Sequence, residues 1–148
     1  MCYLIRTDLK KLLANYDMEL KDFYKIVGIN YMTLYQIDKS ESIRLSTMNK
    51  IISTLGCTIH DYILVEDKYK RPNKAISRKG NTYVVNIKDV YEASGLDTRS
   101  FSEIIGENIV TTRKLIKGVV KEIKIKTIEK LITEFYCTLD DIFKLKEE

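Results

Sequence analysis

The sequence has little of the residues on which most active sites, metal centres and membrane anchors depend. Its 148 residues include one histidine, one proline, no tryptophan and three cysteines, which are Cys2, Cys57 and Cys137. The cysteines lack the paired spacing of a zinc site and are too few for a disulfide framework. No apolar run approaches the roughly 20 residues that cross a bilayer, and residues 1–11 lack the pattern of a secretory signal. We therefore expect a reduced, cytoplasmic protein with no metal, no cofactor and no membrane partner.

The rest of the composition is typical of a globular, helix-rich chain. Apolar residues make up 45% of it and charged residues 31%. It contains no glycine-rich phosphate loop, nucleophile elbow or paired-carboxylate motif, so we do not expect an enzyme. Cys57 and Cys137 have apolar neighbours and are expected to be small buried side chains. His60, next to Asp61, is expected to be a packing residue.

The positive charge is concentrated in one segment. The net charge is +4, yet residues 1–66 carry eight bases and eight acids, and residues 82–148 carry eleven bases and twelve acids. Residues 67–81 carry six bases, one acid and the only proline. This composition predicts a basic linker between a domain at 1–66 and a second domain at 82–148. The alternative is a short hairpin in which residues 74–77 pair with residues 82–85.

An internal repeat relates the two predicted domains. At an offset of 80 residues, the apolar positions of 43–59 fall on apolar positions of 123–139. At an offset of 78, Phe23 falls on Phe101 and Gly28 falls on Gly106. Self-similarity of this kind predicts a duplication. Apart from aliphatic positions such as Ile43 and Ile52, five residues of this segment are identical at the offset of 80: Thr47, Lys50, Cys57, Thr58 and Asp61.

Each repeat is expected to form five short helices. In the first repeat, Asp8 can cap helix one, Gly28 ends helix two, and Asn30 caps a third helix that extends to Lys39. Ser46 or Thr47 opens the fourth helix, and a final turn covers residues 59–64. In the second repeat the same pattern predicts helices at about 86–93, 98–105, 108–117, 127–135 and 139–144.

Two helices joined by a glycine-centred turn have the layout of a helix-turn-helix. With its five helices and its tail at residues 55–63 (Leu, Gly, Cys, Thr, Ile, His, Asp, Tyr, Ile), the first repeat resembles the Cro-repressor-type (xenobiotic-response-element) helix-turn-helix family. The resemblance covers residues 5–64 well and residues 83–143 more weakly. It implies an all-α fold of two tandem, five-helix, lambda-repressor-like domains joined by the basic linker, with the second copy degenerate.

The sequence departs from the family pattern at two places. Helix two carries Tyr24 and Ser102 where the family prefers alanine. Glu107 and Thr112 follow the second turn, where the family has apolar core residues. Either the second turn is rearranged or the second repeat is a degenerate copy.

The resemblance implies that the third helix of each repeat enters the major groove of DNA with its N-terminal residues facing the base edges. The base-facing positions in the first repeat are then Tyr31, Met32, Thr33, Tyr35 and Gln36. Those in the second repeat are Ile109, Val110, Thr111, Arg113 and Lys114. Phosphate contacts are expected from Lys21 or Lys25, from Lys39 and Arg44, and from the linker residues Lys70, Arg71, Lys74, Arg78 and Lys79. Lys117 and Lys121 are further expected DNA-binding residues of the second repeat.

These features predict a sequence-specific, double-stranded DNA-binding transcriptional regulator of a prokaryote or a phage, with repression as the expected role. The third helix of the first repeat carries little charge, whereas residues 113–130 of the second repeat hold seven bases against two acids. The alternative is an inhibitor or adaptor that resembles phage-encoded anti-CRISPR proteins. It would bind a protein partner, or a second copy of the chain, through Tyr24, Tyr31 and Tyr35. Nonspecific nucleic-acid binding is a third possibility.

Overall fold

The computed structural model describes residues 4–66 and 82–145, and this part of the chain is mostly helical. The elements of the first half are β1 (Leu4–Thr7), α1 (Leu9–Ala14), α2 (Leu20–Val27), α3 (Tyr31–Gln36), a 3-10 turn (Ile37–Lys39), β2 (Ser42–Arg44), α4 (Leu45–Leu55), α5 (Ile59–Tyr62) and β3 (Ile63–Glu66). Those of the second half are β4 (Tyr83–Val85), α6 (Lys88–Ser94), α7 (Thr98–Ile105), α8 (Ile109–Lys117), β5 (Glu122–Lys124), α9 (Ile125–Phe135), α10 (Leu139–Ile142) and β6 (Phe143–Leu145).

Most helix ends lie at the residues that the sequence signals predict. The Asp8 carboxylate caps α1 by accepting from the Lys11 amide at 3.1 Å. Gly28 ends α2 with a φ of 75°, a left-handed backbone conformation that destabilises the fold when a residue other than glycine adopts it. Thr58 and Asp61 form a capping box at the start of α5. These local predictions are confirmed.

The expectation of an all-α fold is wrong in one respect, because six short strands are present. Among the described residues β1 pairs antiparallel with β3, β4 with β6, and β2 with β5. The final turn of the first half ends at Tyr62 rather than residue 64, since the apolar run that begins at Ile63 pairs with β1. The third helix is α-helical only to Gln36 and ends in the 3-10 turn.

The fourth helix begins at Leu45, earlier than the predicted Ser46 or Thr47, because a main-chain acceptor replaces the side-chain cap. The Leu45 amide donates to the carbonyl of Lys121, in the other half, at 2.9 Å. In the second half α6 begins at Lys88 rather than near 86, and α9 begins at Ile125 rather than near 127.

The alternative hairpin is wrong for its second strand. Residues 83–85 pair with β6, which is about 60 residues away in the chain, instead of with residues 74–77. Residues 74–77 lie outside the described residues, together with the rest of the predicted linker.

The buried side chains of the two halves form one continuous hydrophobic cluster. Phe23 and Phe101 are both fully buried, as are Met48 and Ile51 on α4. Burying one such side chain contributes about 1.5–3 kcal/mol. No helix within residues 4–66 and 82–145 is both long and apolar enough to span a membrane. The division into domains at 1–66 and 82–148 stays a prediction.

The halves are joined directly by the ribbon of β2 and β5. Its register places Ile43 opposite Ile123, Ser42 opposite Lys124, and Arg44 opposite Glu122. The two isoleucines are buried at 3% exposure each. Because side chains alternate along a strand, the neighbouring polar residues face outward. The ribbon thus closes the core and presents a polar outer face between the halves.

Candidate nucleic-acid interface

The pair α2–α3 is held as a helix-turn-helix by signals close together in the chain. Gly28 turns the chain after α2, and the Asn30 side chain caps α3 by accepting from the Met32 amide at 2.8 Å. Phe23 and Val27 anchor α2 in the core, and Leu34 anchors α3. With Leu34 as its only fully buried residue, α3 leaves most of its surface in solvent.

All five predicted base-facing residues of the first half are exposed, and they occupy every position of α3 except Leu34, so they lie on more than one face of the helix. Tyr31 is 39% exposed, Met32 56% and Tyr35 48%, and Thr33 and Gln36 are also exposed. None of the five predicted side chains is packed into the core. The side chains predicted to contact phosphates in this half, Lys21 or Lys25 on α2, Lys39 in the 3-10 turn and Arg44 in β2, are exposed as well.

Three tyrosines form a cluster on this surface. The Tyr24 and Tyr31 rings meet edge-to-face with centroids 5.6 Å apart, and the Tyr31 and Tyr35 rings stack at 6.5 Å. The Lys39 ammonium lies 5.0 Å from the Tyr35 centroid, a cation–π distance. Tyr24, which replaces the small residue that the family prefers, therefore points outward and does not separate α2 from α3.

The second half contains an equivalent pair, α7–α8. Gly106 ends α7 with a φ of 74°, and the Asn108 side chain accepts from the Thr111 amide at 2.7 Å. Val110 is 62% exposed, whereas Ile109 and Thr111 are half-buried. The exposed cations are Arg113, Lys114 and Lys117 on α8, and Lys121 just after it.

The polar residues that depart from the family pattern after this turn have partners. Thr112 is fully buried, and its hydroxyl donates to the Asn108 carbonyl at 2.8 Å. The Glu107 carboxylate accepts from the Thr127 hydroxyl at 3.0 Å and lies 3.7 Å from the Lys124 ammonium. Buried polar groups with partners avoid most of the desolvation penalty. The turn therefore keeps the same layout as the first one.

Ser102, the second departure in helix two, is also accommodated. It is 3% exposed, and its hydroxyl donates to the Thr98 carbonyl at 2.8 Å, within the same helix. A small side chain at this position lets α7 pack closely on its neighbours.

The outer face of the β2–β5 ribbon carries an exposed cation, Lys124, that was not singled out from the sequence as a contact, in addition to the predicted Arg44. Lys124 lies at the position equivalent to Arg44, 80 residues later, and both side chains are exposed. A signal was available, because Ser-Ile-Arg-Leu at 42–45 and Glu-Ile-Lys-Ile at 122–125 share one alternating pattern. Lys70, Arg71, Lys74, Arg78 and Lys79 lie outside the described residues, so their predicted phosphate contacts stay predictions.

Cys57 and Cys137 are both buried thiols, as the sequence predicts. Burial raises the pKa of the Cys57 thiol to about 11, which keeps it protonated at neutral pH. The Cys137 thiol donates to the Leu131 carbonyl at 3.3 Å. The His60 Nε2 atom lies 3.0 Å from Asp140 Oδ1. In residues 4–66 and 82–145 no cluster of three or more His, Cys, Asp or Glu residues has the geometry of a metal site.

A glycine turn between two helices, with an exposed second helix capped by asparagine, defines the helix-turn-helix class of DNA-binding domain. Residues 8–68 match the family model of the Cro/C1-type HTH DNA-binding domain. Over 134 residues the chain is 31% identical to a protein of Methanocaldococcus jannaschii described as an uncharacterized HTH-type transcriptional regulator, and the alignment covers 84% of this chain and 73% of that protein. No solved structure matches the chain significantly. The chain therefore belongs to the Cro/C1-type helix-turn-helix family of transcriptional regulators.

Proposed function

We propose that this protein is a sequence-specific, double-stranded DNA-binding repressor from a prokaryote or a phage, which acts in the cytoplasm by occupying an operator and needs no cofactor. The observation that carries the proposal is the capped and exposed α3, which has a single fully buried residue. A helix anchored in this way can enter a major groove without unfolding any part of the core. The membership of the chain in a family of DNA-binding regulators supports the same conclusion.

The exposed side chains of α3 suit direct reading of base pairs. The Gln36 amide can bond to the N6 and N7 edge of an adenine, and the Thr33 methyl can contact that of a thymine. Tyr31 and Tyr35 can donate hydroxyl hydrogen bonds to phosphates or base edges. These contacts depend little on charge, which matches the near-neutral sequence of α3.

We propose that the second half is a second, diverged helix-turn-helix head. The order of its elements repeats that of the first half, apart from the 3-10 turn. Its α8 carries Arg113 and Lys114 where α3 has neutral residues, and either side chain can bond to a guanine edge. We expect Lys117 and Lys121, with Lys39 and Arg44 of the first half, to contact phosphates, since all four side chains are exposed. The linker bases would add to this attraction.

Gel shift is the direct test of the proposed function. The full chain is titrated against the DNA upstream of its own gene and against a shuffled duplex of equal length, at about 50 and about 200 mM salt. We expect a preference for the upstream DNA at both salt concentrations. Equal binding to both duplexes at both salts contradicts sequence-specific recognition. Transcription in vitro from that promoter should fall on addition of the protein, and a rise would contradict repression.

A variant tests the assigned reading helix. Gln36→Ala should weaken binding to the preferred duplex by about 1–3 kcal/mol, the value of one bidentate base contact, and should relax the preference for one base pair. Lys10→Ala, exposed on α1 outside the proposed interface, is the control and should leave the preference unchanged. Unaltered specificity in Gln36→Ala would show that α3 does not read bases in this way.

The tyrosine cluster favours a second candidate function, an adaptor or inhibitor that binds a protein partner or a second copy of the chain. Tyrosine is enriched at protein interfaces, and Tyr24, Tyr31 and Tyr35 present a nearly neutral aromatic surface. Reversing the charges of Arg113, Lys114 and Lys117 separates the two functions. Loss of DNA binding supports the regulator, whereas intact DNA binding with loss of a protein partner supports the adaptor.

A further inference from the structure

The ribbon that joins the halves is symmetric under their exchange. Ile43 and Ile123, which face each other at its centre, are equivalent residues, 80 positions apart in the chain. On one side of this pair the Leu45 amide donates to the Lys121 carbonyl at 2.9 Å. On the other side the equivalent bond runs from the Ile125 amide to the Glu41 carbonyl at 2.8 Å. Adding or subtracting 80 converts each bond into the other, as in the interface of a two-fold dimer.

A second contact between equivalent positions lies on other elements, α5 and α10. The His60 Nε2 atom is 3.0 Å from Asp140 Oδ1, and these residues are 80 apart in the chain. The histidine side chain is 20% exposed and that of the aspartate 11%. In a two-fold arrangement, a residue meets its own equivalent only at the axis. The ribbon centre and this pair are therefore two points on one local two-fold axis.

Reciprocal packing prevents the halves from rotating about the ribbon. Helix α4 packs against β4 of the other half, and α9 packs against β1. The Asn49 side chain accepts from the Tyr83 amide at 2.8 Å and donates to the Tyr83 carbonyl at 2.9 Å. Tyr83 is 2% exposed, and its hydroxyl accepts from the Ile59 amide at 3.4 Å. Each half therefore completes the core of the other.

Helices α3 and α8 lie on either side of the ribbon. A cleft of about 270 Å³ is lined by Thr33 and Gln36 of α3 together with Glu122 of the other half. Its counterpart, of about 370 Å³, is lined by Thr111 of α8 together with Lys124 of β5. Because each cleft includes both a helix and the ribbon, the three elements form one surface.

We infer that one chain binds DNA as a built-in dimer, in which the interlocked halves hold α3 and α8 at a fixed spacing and orientation and so select a pair of half-sites on one duplex. This inference rests on the proposed function. Homodimers of this class read two half-sites about 34–36 Å apart, with the symmetry of the protein mirrored in the DNA. Here the two helices differ in sequence, so the half-sites are unlike.

The two half-sites differ in chemistry as well as in sequence. Helix α3 offers tyrosine, threonine and glutamine side chains, which suit A·T-rich contacts. Helix α8 offers arginine and lysine side chains, which suit guanine and phosphate. Arg44 and Lys124 lie at equivalent positions on the ribbon between the helices, where both can contact the backbone that separates the half-sites.

The experiment uses the full chain and a duplex enriched by it from a random double-stranded pool. Nuclease footprinting first locates the region of this duplex that the bound chain protects. Two derivatives of the duplex then carry insertions of two and of five base pairs at the centre of that region. An insertion of two pairs moves one half-site by about 7 Å and rotates it by about 70°. We expect binding to each derivative to be at least about tenfold weaker, since one helix then loses its base contacts. We also expect one chain per duplex.

Several outcomes overturn the inference, and they differ from failure of the proposed function. If no duplex is enriched, the proposed function itself fails. If a duplex is enriched but both insertions change the affinity less than about threefold, the heads move independently and the inference is wrong. Two chains per duplex, or protection of a single half-site, also contradicts it.

A variant tests the role of the ribbon. Ile123→Asp places a carboxylate at the buried centre of the ribbon and should reduce the penalty of the two-pair insertion at least about threefold, because the heads are then held together mainly by the α4–β4 and α9–β1 contacts. Ile123→Val keeps the apolar contact and is the matched control. Circular dichroism checks that the aspartate variant is folded, and if it is not, the insertion series on the unaltered chain still decides the inference.

Discussion

Removing two cations beside α8 should change the salt dependence of DNA binding by a calculable amount. Lys117 ends α8 and Lys121 precedes β5; both side chains are exposed, and neither is assigned to a base. Each phosphate contact contributes about −0.9 to the slope of log affinity against log salt. The double variant Lys117→Ala/Lys121→Ala should therefore have a slope less steep by about 1.8.

This difference is large enough to measure by fluorescence anisotropy with a labelled duplex. Between about 50 and about 200 mM salt, a slope change of 1.8 corresponds to about a 12-fold smaller loss of affinity. The main-chain bond of Lys121 to Leu45 is retained in the variant, because alanine keeps its carbonyl. Affinity at low salt should fall, whereas the preferred sequence should stay the same.

The control variant is Lys10→Ala/Lys88→Ala. These two lysines are exposed, lie at equivalent positions of α1 and α6, and change the net charge by the same amount. If the control reduces the slope as much as the test variant, the effect reflects total charge and not contacts of α8. An unchanged slope in the test variant would refute the placement of DNA against α8.

Three further predictions concern stability and reactivity. Gly28→Ala should destabilise the protein by about 1–2 kcal/mol because the φ of Gly28 is positive. Gly118→Ala should destabilise it more, because the added Cβ would also lie 3.1 Å from the Asn86 Nδ2 atom. Equal chemical-denaturation midpoints for the two variants would contradict this prediction. Thr127→Val should cost about 1.5–3 kcal/mol, since it removes a donor to a buried carboxylate, whereas Thr112→Val should cost less than about 1 kcal/mol; thermal melting compares them, and the reverse order would be evidence against it. Cys57, whose pKa burial raises to about 11, should resist alkylation at pH 8 until the protein unfolds and should react faster as the pH approaches 11; peptide mapping measures the rate, and labelling of the native protein at the rate of a free thiol would refute the assignment.

The elements that the sequence predicts well are those with signals close together in the chain. The turn at Gly28, the cap at Asn30 and the capping box at Thr58 each involve residues within a few positions. Hydrophobic spacing gives the anchoring positions Phe23 and Leu34 for the same reason. These signals suffice to place α2 and α3, and hence the exposed face of the candidate interface.

Residues 82–85 were predicted as a strand with the wrong partner, and the other strands were not predicted, because their partners are distant in the chain. A strand of three residues, such as Ser42–Arg44, is too short for a period-two pattern to stand out. Its partner lies about 80 residues later, so neither segment has a local reason to be extended. The structure supplies that reason through the pairing of β2 with β5.

Side-chain direction was also beyond local signals in α2. Ile26 has the spacing of an inward residue, yet it is 60% exposed. Glu107, outside α2, is a related case, because the sequence places a carboxylate at a core position without showing that Thr127 would be its partner. Both depend on which neighbours arrive from other parts of the chain, and a single sequence does not show them.

The contact between His60 and Asp140 has an evolutionary consequence. In an assembly of two identical chains, every residue on the symmetry axis faces a copy of itself, so an acidic group there meets another acidic group. Encoding both halves in one gene removes that restriction, and each side can mutate without its counterpart changing. Two different side chains can then occupy equivalent places, as His60 and Asp140 do here, with His60 Nε2 3.0 Å from Asp140 Oδ1. This contact disfavours the pairing of like halves from two molecules, since two second halves would bring Asp140 against a second Asp140.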